Sequence, residues 1–190
     1  MSHYRNQLED WLKKINVKGF SALDIGGGAN PVKGRTKTWG VTSYHIADND
    51  IEKTYHKEWY STTPLDLNTD MIHGQYSNIF CLEVFEYIYD PIHALKAIYL
   101  GLEADGVAYI SFPAVYPPHE PRGHDYMRYT RYGVDKLLRV VGFSKYKIIE
   151  RKANDEGAKA LADFYRADGM HPLKNSEEIY HTGYMVTAHK

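Results

Sequence analysis

Three aspartates and a run of glycines are the residues of this chain whose types and spacing point to chemistry. Asp24 stands two residues ahead of Gly26, Gly27 and Gly28 in LDIGGGANP, inside an apolar run. Glycine weakens regular structure, so three in a row mark a tight bend or a backbone that something must approach closely. Asp48, in IADND, follows the loop by about twenty residues, the spacing at which an acid ending the next strand accepts hydrogen bonds from ribose hydroxyls. Asp66, in PLDLN, ends a short third apolar stretch. Three strand-end acids beside a glycine loop suggest a nucleoside ligand.

Two nucleoside cofactors compete for that pattern. A dinucleotide wants G-x-G-x-x-G running into a helix whose N-terminus holds the pyrophosphate. Here Pro31 occupies the position of the third glycine, and Asn30 to Gly34 does not read as a firm helix. An acid just ahead of the glycines is awkward beside a pyrophosphate and welcome beside a cation. S-adenosylmethionine carries a sulfonium and an α-ammonium and no phosphate, so Asp24 favours it.

The densest polar cluster lies elsewhere, in HDYMR: His124 and Asp125 lead to Tyr126 and Arg128, after the proline-rich stretch Pro113 to Gly123. Histidine has the pKa range of a general base. The same residues support a structural arrangement in which Asp125 pairs with Arg128, ties the loop to the next helix and leaves His124 exposed. Arg122, Arg128 and Arg131 make the loop locally basic, which suits an anionic substrate. His119, in the proline-rich stretch, stands with His124 and Asp125 as a further candidate for the base. The other histidines show no metal-ligand spacing, so no metal is expected.

Elements must hold these residues at one edge. Leu8, Trp11, Leu12 and Ile15 follow helical spacing. Phe20 to Ile25, Tyr44 to Ala47, Thr62 to Leu67, Asn78 to Val84, Val107 to Phe112, Phe143 to Glu150 and Ile179 to Ala188 read as strands. Asp90-Pro91 opens a helix with Ile92, Leu95, Ile98 and Leu102 on one face, and Thr130 caps another that Gly142 ends. Ala158 to Tyr165 reads as a further helix. Alternating strands and helices imply a mainly parallel sheet covered on both faces, with ligands at the carboxyl ends of its strands.

The 190 residues fit one domain, expected over 1–190, with residues 1–18 forming an N-terminal helix and 113–129 and 151–175 covering the substrate. A formal net charge of −1 argues against a large nucleic-acid surface. A lone cysteine, Cys81, excludes an internal disulfide and fits a reducing, cytoplasmic compartment. The amphipathic start has no signal-peptide core, and no apolar run reaches membrane-spanning length.

From Phe20 to Glu150 the chain resembles the class I S-adenosylmethionine-dependent methyltransferases, of the small single-domain type 11 kind. LDIGGGANP is similar to that family's first motif, IADND to its ribose-binding acid and LDLN to its adenine-side acid. NIFCLEVFEYIYDPIHALKAIYLGLEADGVAYISFP resembles its fourth strand, helix and fifth strand. HDYMRYTRYGVDKLLRVVGF resembles members that act near polysaccharide or natural-product pathways. Glu86 is followed by Tyr87 where the family often has histidine, so no role carried by that histidine transfers.

The resemblance implies an α/β Rossmann-like three-layer sandwich with a mostly parallel seven-stranded sheet and an antiparallel last strand. It implies that Asp24, with the backbone of Gly26 and Gly28 about Gly27, faces the methionine end of the cofactor. Asp48 would take the ribose diol, with Asn49 flanking the adenine. Asp66 would meet the adenine amino group with Leu67 beside it, and Cys81, Leu82 and Glu83 would lie near the transferred methyl. The catalytic candidates are His124, Asp125 and Arg128. The expected activity is methyl transfer to a small molecule, at oxygen. An RNA or protein methyltransferase and a non-catalytic S-adenosylmethionine-binding or scaffold protein are the alternatives.

Overall fold

A computed structural model describes residues 2–50, 61–118, 123–167 and 181–190. His56, His119, Arg122 and His171, and residues 168–175 of the expected cover, lie outside the described residues.

Helix α1 (His3–Leu12) starts where the Ser2 hydroxyl accepts from the Arg5 amide at 3.2 Å, and it buries Leu8, Trp11 and Leu12. Strands β1 (Asn16–Lys18) and β2 (Ser21–Ile25) follow, then β3 (Thr38–Gly40), β4 (Ser43–Asp48), β5 (Ser61–Pro64) and β6 (Tyr76–Cys81). A 3-10 turn at Phe85–Tyr87 leads to α2 (Pro91–Gly101). Asp90 caps α2 by accepting from the His93 amide at 3.0 Å, and Pro91 begins it, where its missing N–H costs nothing. Then come β7 (Leu102–Pro113), α3 (Arg131–Val141), β8 (Lys145–Lys152), α4 (Asp155–Ala167) and β9 (His181–His189). Thr130 caps α3, and Gly142 ends it at φ 113°.

Seven strands form one sheet in the order β5-β4-β2-β6-β7-β9-β8. Every pairing in it is parallel except those of β9, which runs antiparallel to both β7 and β8. This is the expected seven-stranded α/β sheet with an antiparallel last strand. Two short strands, β1 and β3, pair separately and in parallel.

Side-chain alternation along the strands splits the core in two. Leu23 and Ile25 of β2 join Ile79, Cys81, Ile110 and Val186 against Leu95 and Ile98 of α2 and Val134 and Leu138 of α3. Ala22, on the other face, joins Ile46, Phe80, Tyr109 and Met185 against Leu8, Trp11 and Leu12 of α1. Each fully buried Leu or Ile stabilises this packing by about 1.5–3 kcal/mol, and the two faces together clamp β2 and β6 at the centre.

Several boundaries differ from expectation. The N-terminal helix expected over 1–18 ends at Leu12, and Asn16–Lys18 forms β1. Leu102, expected on the helix face, begins β7, and β6 stops at Cys81 and not at Val84. Ile15 is buried but lies past the end of α1. Ile92 sits on the open first turn of α2, 39% exposed, while Ala94, Leu95, Ala97 and Ile98 face inward. The third central strand stops at Pro64 and not at Leu67, because Asp66 folds into a turn: its carbonyl accepts from Thr69 and Asp70, and its Oδ1 accepts from the Asn68 amide at 2.9 Å.

Candidate functional site

The expected site residues gather where β2, β4, β5 and β6 end. After β2 the chain bends at Gly26, whose N–H donates to the Ala47 carbonyl at 2.8 Å. Gly26 has φ 74°, and a Cβ there would meet the Val84 methyl at 2.4 Å. At Gly27 a Cβ would lie 2.3 Å from the Asp24 carboxylate. The glycines are therefore required by the loop's own packing, before any ligand is considered.

Asp24 departs from the role expected of it. Alternation along β2 turns it to the α1 side of the sheet, where it is 2% exposed. Its Oδ2 accepts from the Val32 amide at 2.7 Å and from the Tyr44 hydroxyl at 2.5 Å. Burial pushes its carboxyl up to about 6, against those two hydrogen bonds. Asp24 is a strut beneath the glycine loop, and its carboxylate does not line the open cleft. Gly28 likewise commits its N–H to Asp48 Oδ2, at 3.2 Å.

Asp48 and Asp66 do stand at the cleft. An inner pocket of about 170 Å³ is lined by Ile25, Gly26, Asp48, Asn49 and Leu65 to Asn68 on one side and by Glu83, Val84, Tyr87 and Ile88 on the other. An outer cleft of about 630 Å³ shares Asp48, Asn49, Asp66 and Tyr87 and adds Ala29, Asp50, Tyr89, His124 and Tyr126. The outer cleft falls in the size range of small-molecule sites, about 300–1,000 Å³. Tyr89 and Tyr126 meet edge to face across its mouth, ring centroids 5.7 Å apart. Two carboxylates opposite aromatic rings suit a ligand with hydroxyls at one end and a flat ring at the other.

Of the three residues expected after the fourth central strand, one reaches the cleft. Cys81 is still inside β6, wholly buried, and burial pushes its thiol up. Leu82 packs against the α1-side core. The chain turns only at Glu83, whose φ of 58° is the one left-handed non-glycine among the described residues. Backbone strain of this kind costs about 1–3 kcal/mol and persists where surroundings enforce it. Here Ser111 does so: its hydroxyl accepts from the Glu83 amide and donates to Glu83 Oε1, both at 2.7 Å.

Behind Glu83 lies a polar centre that the sequence did not disclose. Arg151, at the end of β8, is fully buried and donates from Nη1 to Glu83 Oε1 at 2.9 Å. Its guanidinium lies 3.8 Å from the ring centroid of Tyr4 on α1, a cation–π contact. Its Nε and Nη2 have no hydrogen-bond partner. Glu86, on the 3-10 turn, is 5% exposed and its Oε2 has no partner either. Burial, then the nearby Glu83 and Asp125 carboxylates, push the Glu86 carboxyl up to about 7.

The expected catalytic trio divides. Asp125 and Arg128 hold each other in a two-pronged ion pair, and Arg128 also donates to the carbonyls of Tyr116, Pro117 and Met127 at 2.8–3.3 Å. That pairing braces the loop, the structural arrangement of the two that the sequence allowed. His124 is exposed at the mouth of the outer cleft, its Nδ1 3.3 Å from the Tyr126 hydroxyl. Glu86 holds the loop down from below, its carbonyl accepting from the amides of Tyr126 at 2.7 Å and Met127 at 3.3 Å. Among the described residues no group of three or more His, Cys, Asp or Glu is placed to hold a metal ion, and no helix is long and apolar enough to cross a membrane.

Comparison with known proteins bears on the fold. No protein-family model matches the chain, and no curated protein matches it by sequence. Solved structures do match. One is an S-adenosylmethionine-dependent methyltransferase from Mesorhizobium loti, at TM-score 0.67 and 12% identity, covering 100% of this chain and 98% of that one. Another is a phosphoethanolamine N-methyltransferase of Haemonchus contortus in complex with S-adenosylmethionine, at TM-score 0.65 and 15% identity, covering 98% of this chain and 52% of that one. A third is the CurJ carbon methyltransferase, at TM-score 0.61 and 13% identity, covering 90% and 48%. The chain thus spans about half the length of the last two. At these identities the likeness is one of architecture: the chain shares the α/β fold of these solved methyltransferases.

Proposed function

We propose that the protein is an S-adenosylmethionine-dependent methyltransferase acting on a small molecule. The observation that carries this reading is the cleft, where Asp48 and Asp66 stand at adjacent strand ends facing Glu83, on a sheet whose solved relatives include methyltransferases. Asp48 takes the ribose hydroxyls, Asn49 and Leu67 flank the adenine, and Asp66 accepts from its amino group. The methionine portion extends over Gly26 toward Glu83. When bound, S-adenosylmethionine supplies an electrophilic methyl group already activated by its sulfonium.

The chain's own contribution is then placement. Holding acceptor, methyl and sulfur in line can contribute roughly 7–11 kcal/mol. Of the segments expected to cover an acceptor, 113–129 and 151–175, the first borders the cleft through His124 and Tyr126, while Arg151 and Lys152 of the second belong to β8 and Arg151 is enclosed. Asp125 and Arg128 brace the first segment, and among its described residues His124 and Tyr126 line the outer cleft, where the imidazole is a group able to take a proton. A small molecule with a hydroxyl nucleophile, losing its proton to such a group, is the acceptor we favour.

The test is thermal. S-adenosylhomocysteine at millimolar concentration is expected to raise the melting temperature of the wild-type protein, since a ligand that binds only the folded state stabilises it by mass action. Asp48→Ala is expected to abolish that rise while leaving the ligand-free protein folded. Absence of any rise in the wild-type protein defeats the reading.

A further inference from the structure

The polar centre behind the cleft holds an odd number of ionisable partners. Glu83 is paired with Arg151, and Asp125 is paired with Arg128. Each pair carries one negative and one positive charge. Glu86 lies among them with a carboxylate oxygen that bonds to nothing. The other titratable groups that face it supply no cation. Tyr4 comes from α1, Cys81 and Tyr87 from its own segment and Tyr129 from the end of the covering loop, and burial pushes all four upward, toward the neutral form. Arg128, already paired with Asp125, and the Glu86 backbone amide favour the ionised form of Glu86 only in part, and a buried carboxyl with no counter-charge of its own avoids ionising.

Position links this orphan to the cleft. Glu86 follows Glu83 by three residues, just past the left-handed bend at Glu83, and lies near enough for the Glu83 charge to push its carboxyl up. The residues around it, Val84, Tyr87 and Ile88, line the inner pocket. A cation seated against Glu83 is therefore close to Glu86, across a region of low dielectric where charges act strongly.

Given the cleft as an S-adenosylmethionine site, on which this inference rests, we infer that Glu86 is a proton-linked sensor of the donor's charge. Its carboxyl releases a proton when the sulfonium arrives and regains one when methyl transfer leaves a neutral thioether. The balance closes. Transfer moves CH₃ from sulfur to the acceptor, the C–S bond's electron pair stays on sulfur, and the proton lost by the acceptor equals the one that Glu86 takes back. Glu86 thereby makes the site prefer the charged donor over its uncharged product, S-adenosylhomocysteine.

Calorimetry on the intact protein tests this without knowing the acceptor. S-adenosylmethionine and S-adenosylhomocysteine are each titrated at pH 7 in phosphate and in Tris, whose ionisation heats differ, so that the protons released are counted. A carboxyl half-protonated at that pH gives about half a proton more for the sulfonium than for the thioether. The ratio of the two affinities should also rise about tenfold between pH 6 and pH 8 as the carboxyl ionises unaided. Glu86→Gln should bind both ligands and erase the proton difference and the pH trend. Equal proton counts and a flat ratio in the wild-type protein overturn the inference, as does a difference that survives in Glu86→Gln. If that variant fails to fold, the wild-type ratio alone decides. Failure of the wild-type protein to bind either ligand removes the parent reading as well, an outcome distinct from binding without proton release.

Discussion

The rim of the cleft and the centre behind it are both built from acids, yet they are held in opposite ways. At the rim, Asp66 bonds the amide of Asn68, two residues on, and Asp48 bonds the amide of Gly28, 20 residues away on the adjoining loop. Both stay partly open to solvent. In the centre, Glu83 bonds Arg151, 68 residues away, and the arginine is wholly enclosed. Local main-chain bonds leave a carboxylate room to exchange its partner for a ligand. The Glu83–Arg151 pair has less such freedom: Glu83, 23% exposed, faces the inner pocket, but losing it would strand the enclosed arginine in a medium that cannot solvate it.

The largest expected effect breaks the centre. Arg151→Leu leaves Glu83 without its cation, and such losses cost about 3–5 kcal/mol. Urea unfolding measures it, and a loss below about 1 kcal/mol would put the centre on the same footing as the rim.

Next comes pH. Asp24 and Glu86 both have carboxyls raised in the folded state, to about 6 and about 7. A raised acid binds protons more tightly folded than unfolded, so its contribution is complete below the unfolded value and fades as pH climbs to the folded one. Stability should therefore decline from about pH 4 to about pH 7, each group accounting for about 3 kcal/mol at most. Asp24→Asn should flatten the lower part of that slope. Denaturation midpoints across pH 4–8 show it, and an unchanged slope would mean that Asp24 is no buried strut.

The smallest effect concerns the loop brace. Asp125→Asn weakens a pair whose carboxylate is 6% exposed but whose arginine is 29% exposed and keeps the carbonyls of Tyr116, Pro117 and Met127, so the loss is expected near the upper end of the surface range, about 1 kcal/mol. Melting temperature should barely move, and stabilisation by S-adenosylhomocysteine should persist. Loss of that stabilisation would join the brace to the binding rim.

What was legible in the sequence follows the same division. β2, β4, β6 and α3 announce themselves through apolar runs, capping residues and glycine stops within a few positions. Asp48 ends its strand as the spacing indicates, whereas Asp66 lies two residues past the end of its strand, in a turn made by its own neighbours. Asp24 was misread: spacing located it beside the glycines, but the face of the sheet it occupies depends on Tyr44 and Val32. β1 and β3 have three residues each, too short for any periodic signal. The Glu83–Ser111–Arg151 centre joins residues from three distant segments, and nothing in ERK distinguishes an enclosed arginine from a solvated one. Glu86 stood in view only as the neighbour of Tyr87, since an acid near a strand end reads as surface until its burial is known.

One clasp outside the cleft sets an order of assembly. Gln7 of α1 donates to the Lys152 carbonyl at 2.8 Å and accepts from the Lys152 amide at 2.9 Å, across 145 residues of chain. β8, which carries Lys152, joins the sheet only through β9. The clasp can therefore close only once β9 lies between β7 and β8, whereas the apolar face of α1 also packs on Ala22, Ile46, Phe80 and Tyr109 of the earlier strands. Tyr4, riding on α1, reaches Arg151 in that same closing step, so the newborn chain completes its charged interior last.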